Sequence, residues 1–221
     1  VKHSTMCAYM LALQTHLLPC FGTKTVITEN DVQQFVINKF SAGFARKYVR
    51  DLVAVLKSVV KYGDKHKIFS FEQWEIEYPT DTSAHRLPIL ALNHQRILMS
   101  HLIANTSSQN IGILLALCTG MRIGEVCALK WEDIDFSQKV ISVKHTVGRV
   151  YNCELKSTER ISSSPKTRNS YREIPISKQL LLSLKVVKKT STSLFVVGNS
   201  ITSKEPRSYR DYFARLLKRL N

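Results

Sequence analysis

The stretch LLALCTGMRIGEVCALKWEDID, residues 114–135, sets one arginine, Arg122, between two apolar helical runs. Leu114, Leu115 and Leu117 precede it; Ile123, Val126, Cys127 and Leu129 follow. Arginine is almost never fully buried without a partner, so this placement needs a reason. Gly120 closes the first run as a helix C-cap, and a short second helix, IGEVCAL, starts directly after Arg122. Glu125 stands one helical turn further on, where it can hold the guanidinium by charge-assisted hydrogen bonds. A guanidinium fixed at a helix start and backed by a carboxylate suits the gripping of two phosphate oxygens. The same residues also fit a plain Arg–Glu pair that stabilises the helix, and physics alone favours that reading slightly.

Downstream the period changes. IDFSQKVISVKHTVGRV (134–150) predicts two short strands around a Ser–Gln turn. SPKTRNSYREIPIS (164–177) predicts another strand, preceded by a basic turn with Lys166, Arg168 and Arg172. A lysine on a hairpin can deliver a proton to a leaving oxygen; ordinary surface charge explains the same residues. SKQLLLSLKVVKK (177–189) and PRSYRDYFARLLKRLN (206–221) read as helices. In the second, Tyr209, Phe213, Leu216 and Leu220 share one face, and Arg207, Arg210, Arg215 and Lys218 the other.

Upstream, IGILLALC (111–118) and NHQRILMSHLIAN (93–105) are helical patterns, and EYPTDTSAHRLPI (77–89) has two prolines and no periodicity. We read a linker over 78–90, which separates a helical domain, 1–77, from a second domain, 91–221. The first helix is expected to be capped by Ser4 or Thr5, to bury Tyr9, Met10, Leu13 and Leu17, and to end at Pro19. A second helix starts at Thr28, whose pairing with Asp31 resembles a capping box. A third, FARKYVRDLVAVLKSVVKYG (44–63), is expected to bury Tyr48, Leu52, Leu56, Val59 and Val60. Arg46, Arg50, Lys57 and Lys61 lie on it within an arc of about 60°. With Lys47 beside them they form a basic ridge, either a solvated face or a set of phosphate contacts.

The net charge of +15 is uneven: residues 141–221 carry 17 Lys and Arg against 5 Asp and Glu. A polyanion, nucleic acid first, is the natural partner of such a chain. No apolar run reaches the roughly 18–20 residues that span a bilayer, and no signal peptide is expected from the pattern of the first residues. The five cysteines have no C-x-x-C spacing; free thiols in a reducing cytosol are expected, ahead of a disulfide scaffold or a zinc site. The first residue is Val1, so the chain is expected to be cut from something longer.

Together, ALCTGMRIGEVCALKWEDID and PKTRNSYREIPI resemble the tyrosine recombinases, or phage integrases, and in wording the integrases of conjugative transposons from Gram-positive bacteria. The resemblance implies an all-α core-binding domain followed by a mainly helical catalytic domain with a small antiparallel sheet. It matches Arg122 to the first catalytic arginine, Glu125 to the acidic residue that orients it, and Lys166 to the catalytic lysine of a sheet hairpin. It implies site-specific recombination of double-stranded DNA at element ends and target sites, for excision and integration of a mobile element. A tyrosine attacks the phosphodiester, a 3′-phosphotyrosyl bond forms and a 5′-hydroxyl leaves. The bond energy stays in that linkage, so neither ATP nor metal cofactor is required. The resemblance further implies four protomers working in one synapse. DNA contacts are expected from Arg46, Lys47, Arg50, Lys57, Lys61, Arg168 and Arg172. The family's His-x-x-Arg block and its tyrosine fall beyond a helix like 206–221, and no histidine follows His145. We therefore expect a C-terminally truncated catalytic domain whose nucleophile is not in this chain, binding DNA without cutting it. A non-catalytic DNA-binding regulator and a type IB topoisomerase-like enzyme are the alternatives.

Overall fold

Pro19 does not end the first helix. In the computed structural model, which describes residues 2–68, 70–80, 89–153, 155–163, 171–198 and 200–220, α1 (His3–Ala12) continues through one π turn, Leu13–Leu17, into α2 (Leu18–Phe21). Proline removes a helical N–H and crowds the carbonyl four residues back. The wider π turn, in which the Leu18 N–H donates to the Leu13 carbonyl, precedes it directly and relieves that crowding. The turn also shifts the helical phase. Cys7, Ala12, Leu17 and Phe21 are buried, whereas Tyr9 and Met10, expected inside, are exposed.

The capping box of α3 (Glu29–Ser41) is formed. Thr28 Oγ1 accepts from the Asp31 N–H at 3.2 Å, and Asp31 Oδ2 accepts from the Thr28 N–H at 2.9 Å. Hydrogen bonds from Lys24 and then Thr28 lower the Asp31 carboxyl to about 2. An unfolded aspartate titrates near 3.9, so this contribution to stability is complete above that pH and is lost as pH falls through about 2. Urea unfolding at pH 7 and pH 3 is expected to show a larger acid loss for the unmodified chain than for Asp31→Asn. Equal losses would contradict the assignment.

α4 (Arg46–Lys65) buries Val49, Leu52, Val53, Val55, Leu56 and Val60. Tyr48 and Val59, expected in that stripe, lie outside it. The helix is packed by α1 and by α3, so its apolar arc is wide and turned by about one residue from the simple reading. Tyr48 instead stacks on Phe44, with ring centroids 5.7 Å apart.

The chain divides into two compact units, Val1–Leu87 with Tyr151–Ser157, and Pro88–Val150 with Thr158–Asn221. In the second, α5 (Leu92–Ala104), α6 (Asn110–Thr119), α7 (Ile123–Ala128), α8 (Lys178–Thr190) and α9 (Pro206–Leu220) accompany a small antiparallel sheet. That sheet has the order β1 (Ile134–Asp135), β2 (Val140–Val143), β5 (Arg172–Pro175), with Val143 opposite Arg172. A separate ribbon pairs β3 (Thr146–Asn152) with β4 (Ser157–Ser163). Sequence reasoning did not find β4. Its residues, STERISS, contribute no fully buried side chain, so the apolar alternation that marks a half-buried strand is absent. The core of this unit is built on Leu98, Leu102, Leu114, Leu115, Ile141, Leu180 and Leu184. All five cysteines are free thiols. No helix among the described residues is long and apolar enough to cross a membrane.

Candidate functional site

Four consecutive residues turn the chain from α6 into α7. Thr119 Oγ1 donates to the Leu115 carbonyl at 2.6 Å and accepts the Met121 N–H at 3.3 Å. Gly120 takes the left-handed conformation, φ +66°, as the C-cap of α6; a side chain there costs about 1–2 kcal/mol. Met121 is buried. Arg122 is extended, φ −68° and ψ 149°, and is the N-cap residue of α7. Gly124 then lets α7 lie against β3, because a Cβ there would sit 2.6 Å from both Thr146 Oγ1 and Val147 O.

Glu125, on the inner side of α7, has only 4% of its side chain exposed. Oε2 accepts the Arg122 N–H at 2.9 Å, and Oε1 accepts Arg122 Nη1 at 2.9 Å. The carboxylate is also met by Arg172 from β5, with Nη1 on Oε1 at 3.2 Å and Nη2 on Oε2 at 2.8 Å. Burial pushes the Glu125 carboxyl up, but the bonds from Arg172 and Arg122 outweigh it and hold the group below its ordinary value. The Arg122 side chain stays 73% exposed. One buried anion thus serves two cations, and the excess positive charge is carried outward on Arg122.

The rest of the motif is structural. Trp131 Nε1 donates to Ser191 Oγ at 3.1 Å. Asp133 accepts the Lys130 N–H at 3.2 Å and pairs with Lys144 at 3.3 Å.

The other expected site residues divide. Lys166 and Arg168 lie outside the described residues. Arg172, expected to contact DNA, has both terminal nitrogens on Glu125, for the physical reason that a buried carboxylate claims the nearest bidentate donor. In the first unit, Arg46, Lys47, Arg50, Lys57 and Lys61 all lie on α4, and the segment 71–78 runs across part of that ridge. Lys57 Nζ donates to the Trp74 carbonyl at 3.1 Å; Arg50 lies 5.7 Å from the Tyr78 ring centroid and Lys61 5.8 Å from that of Phe71. Gln33 fixes the segment by exchanging two hydrogen bonds with the Glu77 main chain, at 3.1 and 3.0 Å. Lys47 is exposed and engaged by none of these contacts.

Two tyrosines of α9 are engaged in the core. The Tyr209 hydroxyl donates to the Gln109 carbonyl and the Tyr212 hydroxyl to Asn110 Oδ1, both at 2.5 Å. Tyr209 is buried, and burial pushes its phenol up. Sequence reasoning missed the Arg172–Glu125 pair. Its partners are 47 residues apart, and no local pattern announces it.

Comparison with known proteins gives one consistent picture. The phage integrase family matches residues 91–221. A protein described as tyrosine recombinase XerC-like, from Caldanaerobacter subterraneus subsp. tengcongensis, is 41% identical over 75 residues. The ICEBs1 integrase of Bacillus subtilis is 36% identical over 81 residues. These stretches span 33% and 37% of this chain but only 19% and 20% of those relatives. Among solved structures, the Tn1549 transposon integrase in complex with transposon right end DNA has a TM-score of 0.80 at 19% identity, covering 100% of this chain and 74% of that one. A lambda integrase tetramer bound to a Holliday junction gives 0.62 at 13% identity, covering 100% of this chain and 59% of that one. At such identities the likeness is one of fold: helices with a small antiparallel sheet.

Proposed function

This chain belongs to the phage integrase family, and from that premise we propose that it is part of a site-specific DNA recombinase that excises and integrates a mobile element. The single observation that carries the reading is the buried Glu125 carboxylate holding Arg122 at a helix start with 73% of its side chain exposed. In this reading Arg122 neutralises the non-bridging oxygens of the scissile phosphate. A tyrosine oxygen bonds to phosphorus, the bond to the 5′ oxygen breaks, and Lys166 gives that oxygen its proton. The charge builds on phosphate oxygens, and a preorganised guanidinium stabilises it there. The reverse sequence rejoins the strand.

We assign 1–77 as an all-α core-binding domain, 78–90 as the linker and 91–221 as a partial catalytic domain, working on double-stranded DNA as a tetramer of the complete protein. Arg46, Lys47 and the outward part of the α4 ridge supply phosphate contacts, supported by the overall charge of +15. The chain binds DNA without cutting it. Supporting this, the tyrosines on the final helix have their hydroxyls held in the core.

Fluorescence anisotropy with a labelled duplex tests the reading. Affinity should fall steeply and log-linearly with salt, as expected when several phosphates are neutralised. A nicked suicide duplex should give no covalent adduct. Absence of DNA binding at low salt sinks the reading, and a phosphotyrosyl adduct overturns the assignment of the nucleophile to another segment.

A further inference from the structure

We propose that Arg172 is a positioning residue, which occupies the Glu125 carboxylate so that Arg122 keeps most of its guanidinium free to meet an anionic ligand. The proposal rests on the reading of Arg122 as the phosphate-binding group.

Glu125 accepts four N–H groups, two on each oxygen, and Arg172 supplies two of them as a parallel fork. A buried carboxylate with a single arginine beside it favours the bidentate arrangement. Were Arg122 that only arginine, its fork would close inward and its charge would be neutralised. With Arg172 in place, Arg122 makes one side-chain bond among the described residues, through Nη1, and remains 73% exposed, against 31% for Arg172. The two guanidiniums therefore divide the work: the less exposed one satisfies the carboxylate, and the other projects its charge.

The placement of Arg172 suits this task. It is the first residue of β5, paired across the sheet with Val143 of β2, so a ladder rather than a loop anchors its fork. It also lies six residues after Lys166 in sequence. The Glu125–Arg172 contact thus joins the helix that carries Arg122 to the strand that follows Lys166. Lysine cannot replace it, because an ammonium is a point charge without a planar fork.

The test is nuclear magnetic resonance of this chain with labelled glutamate carboxyls and arginine guanidiniums, for Arg172→Gln and the charge-retaining Arg172→Lys. In both variants the Glu125 titration should move to higher pH. Rotation about the Arg122 Cζ–Nη bonds should slow as its fork closes on Glu125. An Arg122 signal that is unchanged while Glu125 shifts overturns the proposal, since a merely structural pair would behave that way. Duplex binding provides the second arm. Arg172→Gln should lower the salt slope by about one phosphate, because Arg122 turns inward, and adding Arg122→Ala to it should lower the slope no further; a further loss, or the smaller slope with Glu125 unmoved, makes Arg172 a DNA contact in its own right and also overturns the proposal. Failure of the unmodified chain to bind DNA counts against the function proposed above, while the resonance result stands or falls without DNA.

Discussion

Arg122→Ala is expected to slow DNA cleavage by roughly 10²–10³-fold, the loss typical of one preorganised donor at a developing oxyanion. The assay uses the complete recombinase of which this chain is proposed to be part. Single-turnover cleavage of a suicide duplex at saturating protein isolates the chemical step. DNA affinity should change far less, because one guanidinium among many cations contributes only about one phosphate to the salt slope. The asymmetry follows from the geometry. Glu125 holds Arg122 by its main-chain N–H and one Nη, so its orientation is set before DNA arrives. A parallel loss of affinity and rate would instead describe an ordinary phosphate contact, and the role assigned to Arg122 would be withdrawn.

Lys166→Ala should cost about 10²–10⁴-fold in the same assay, the range of a positioned general acid. The diagnostic is rescue. A duplex with sulfur in place of the bridging 5′ oxygen has a leaving group that departs without protonation, so the variant and the unmodified protein should cleave it at similar rates. If the deficit persists on that substrate, Lys166 acts by charge or by position rather than by proton transfer. Arg122→Ala should show no such rescue, because the role proposed for it is at the non-bridging oxygens.

Much of the candidate site was legible because its decisive contacts are local. Arg122 and Glu125 are three residues apart, so a helical turn brings them together whatever surrounds them. Gly120 announces the break between α6 and α7, and Thr28 with Asp31 announces the start of α3. The reading of α9 succeeded for the same reason: Tyr209 and Leu216 repeat at helical spacing and are buried.

Tertiary structure alone decided which partner each cation takes. Arg172 reads in sequence as one more positive charge beside Lys166 and Arg168, yet the β2–β5 pairing carries it to a carboxylate 47 residues away. Lys57 and Lys61 read as an open ridge, yet the extended segment 71–78 crosses them. Gly124 reads as a weak helix residue until the strand behind it is seen. Short-range order follows from backbone geometry and is written in neighbouring residues; long-range pairing depends on which surfaces the folded chain closes against each other, and no window of sequence contains both sides of that contact.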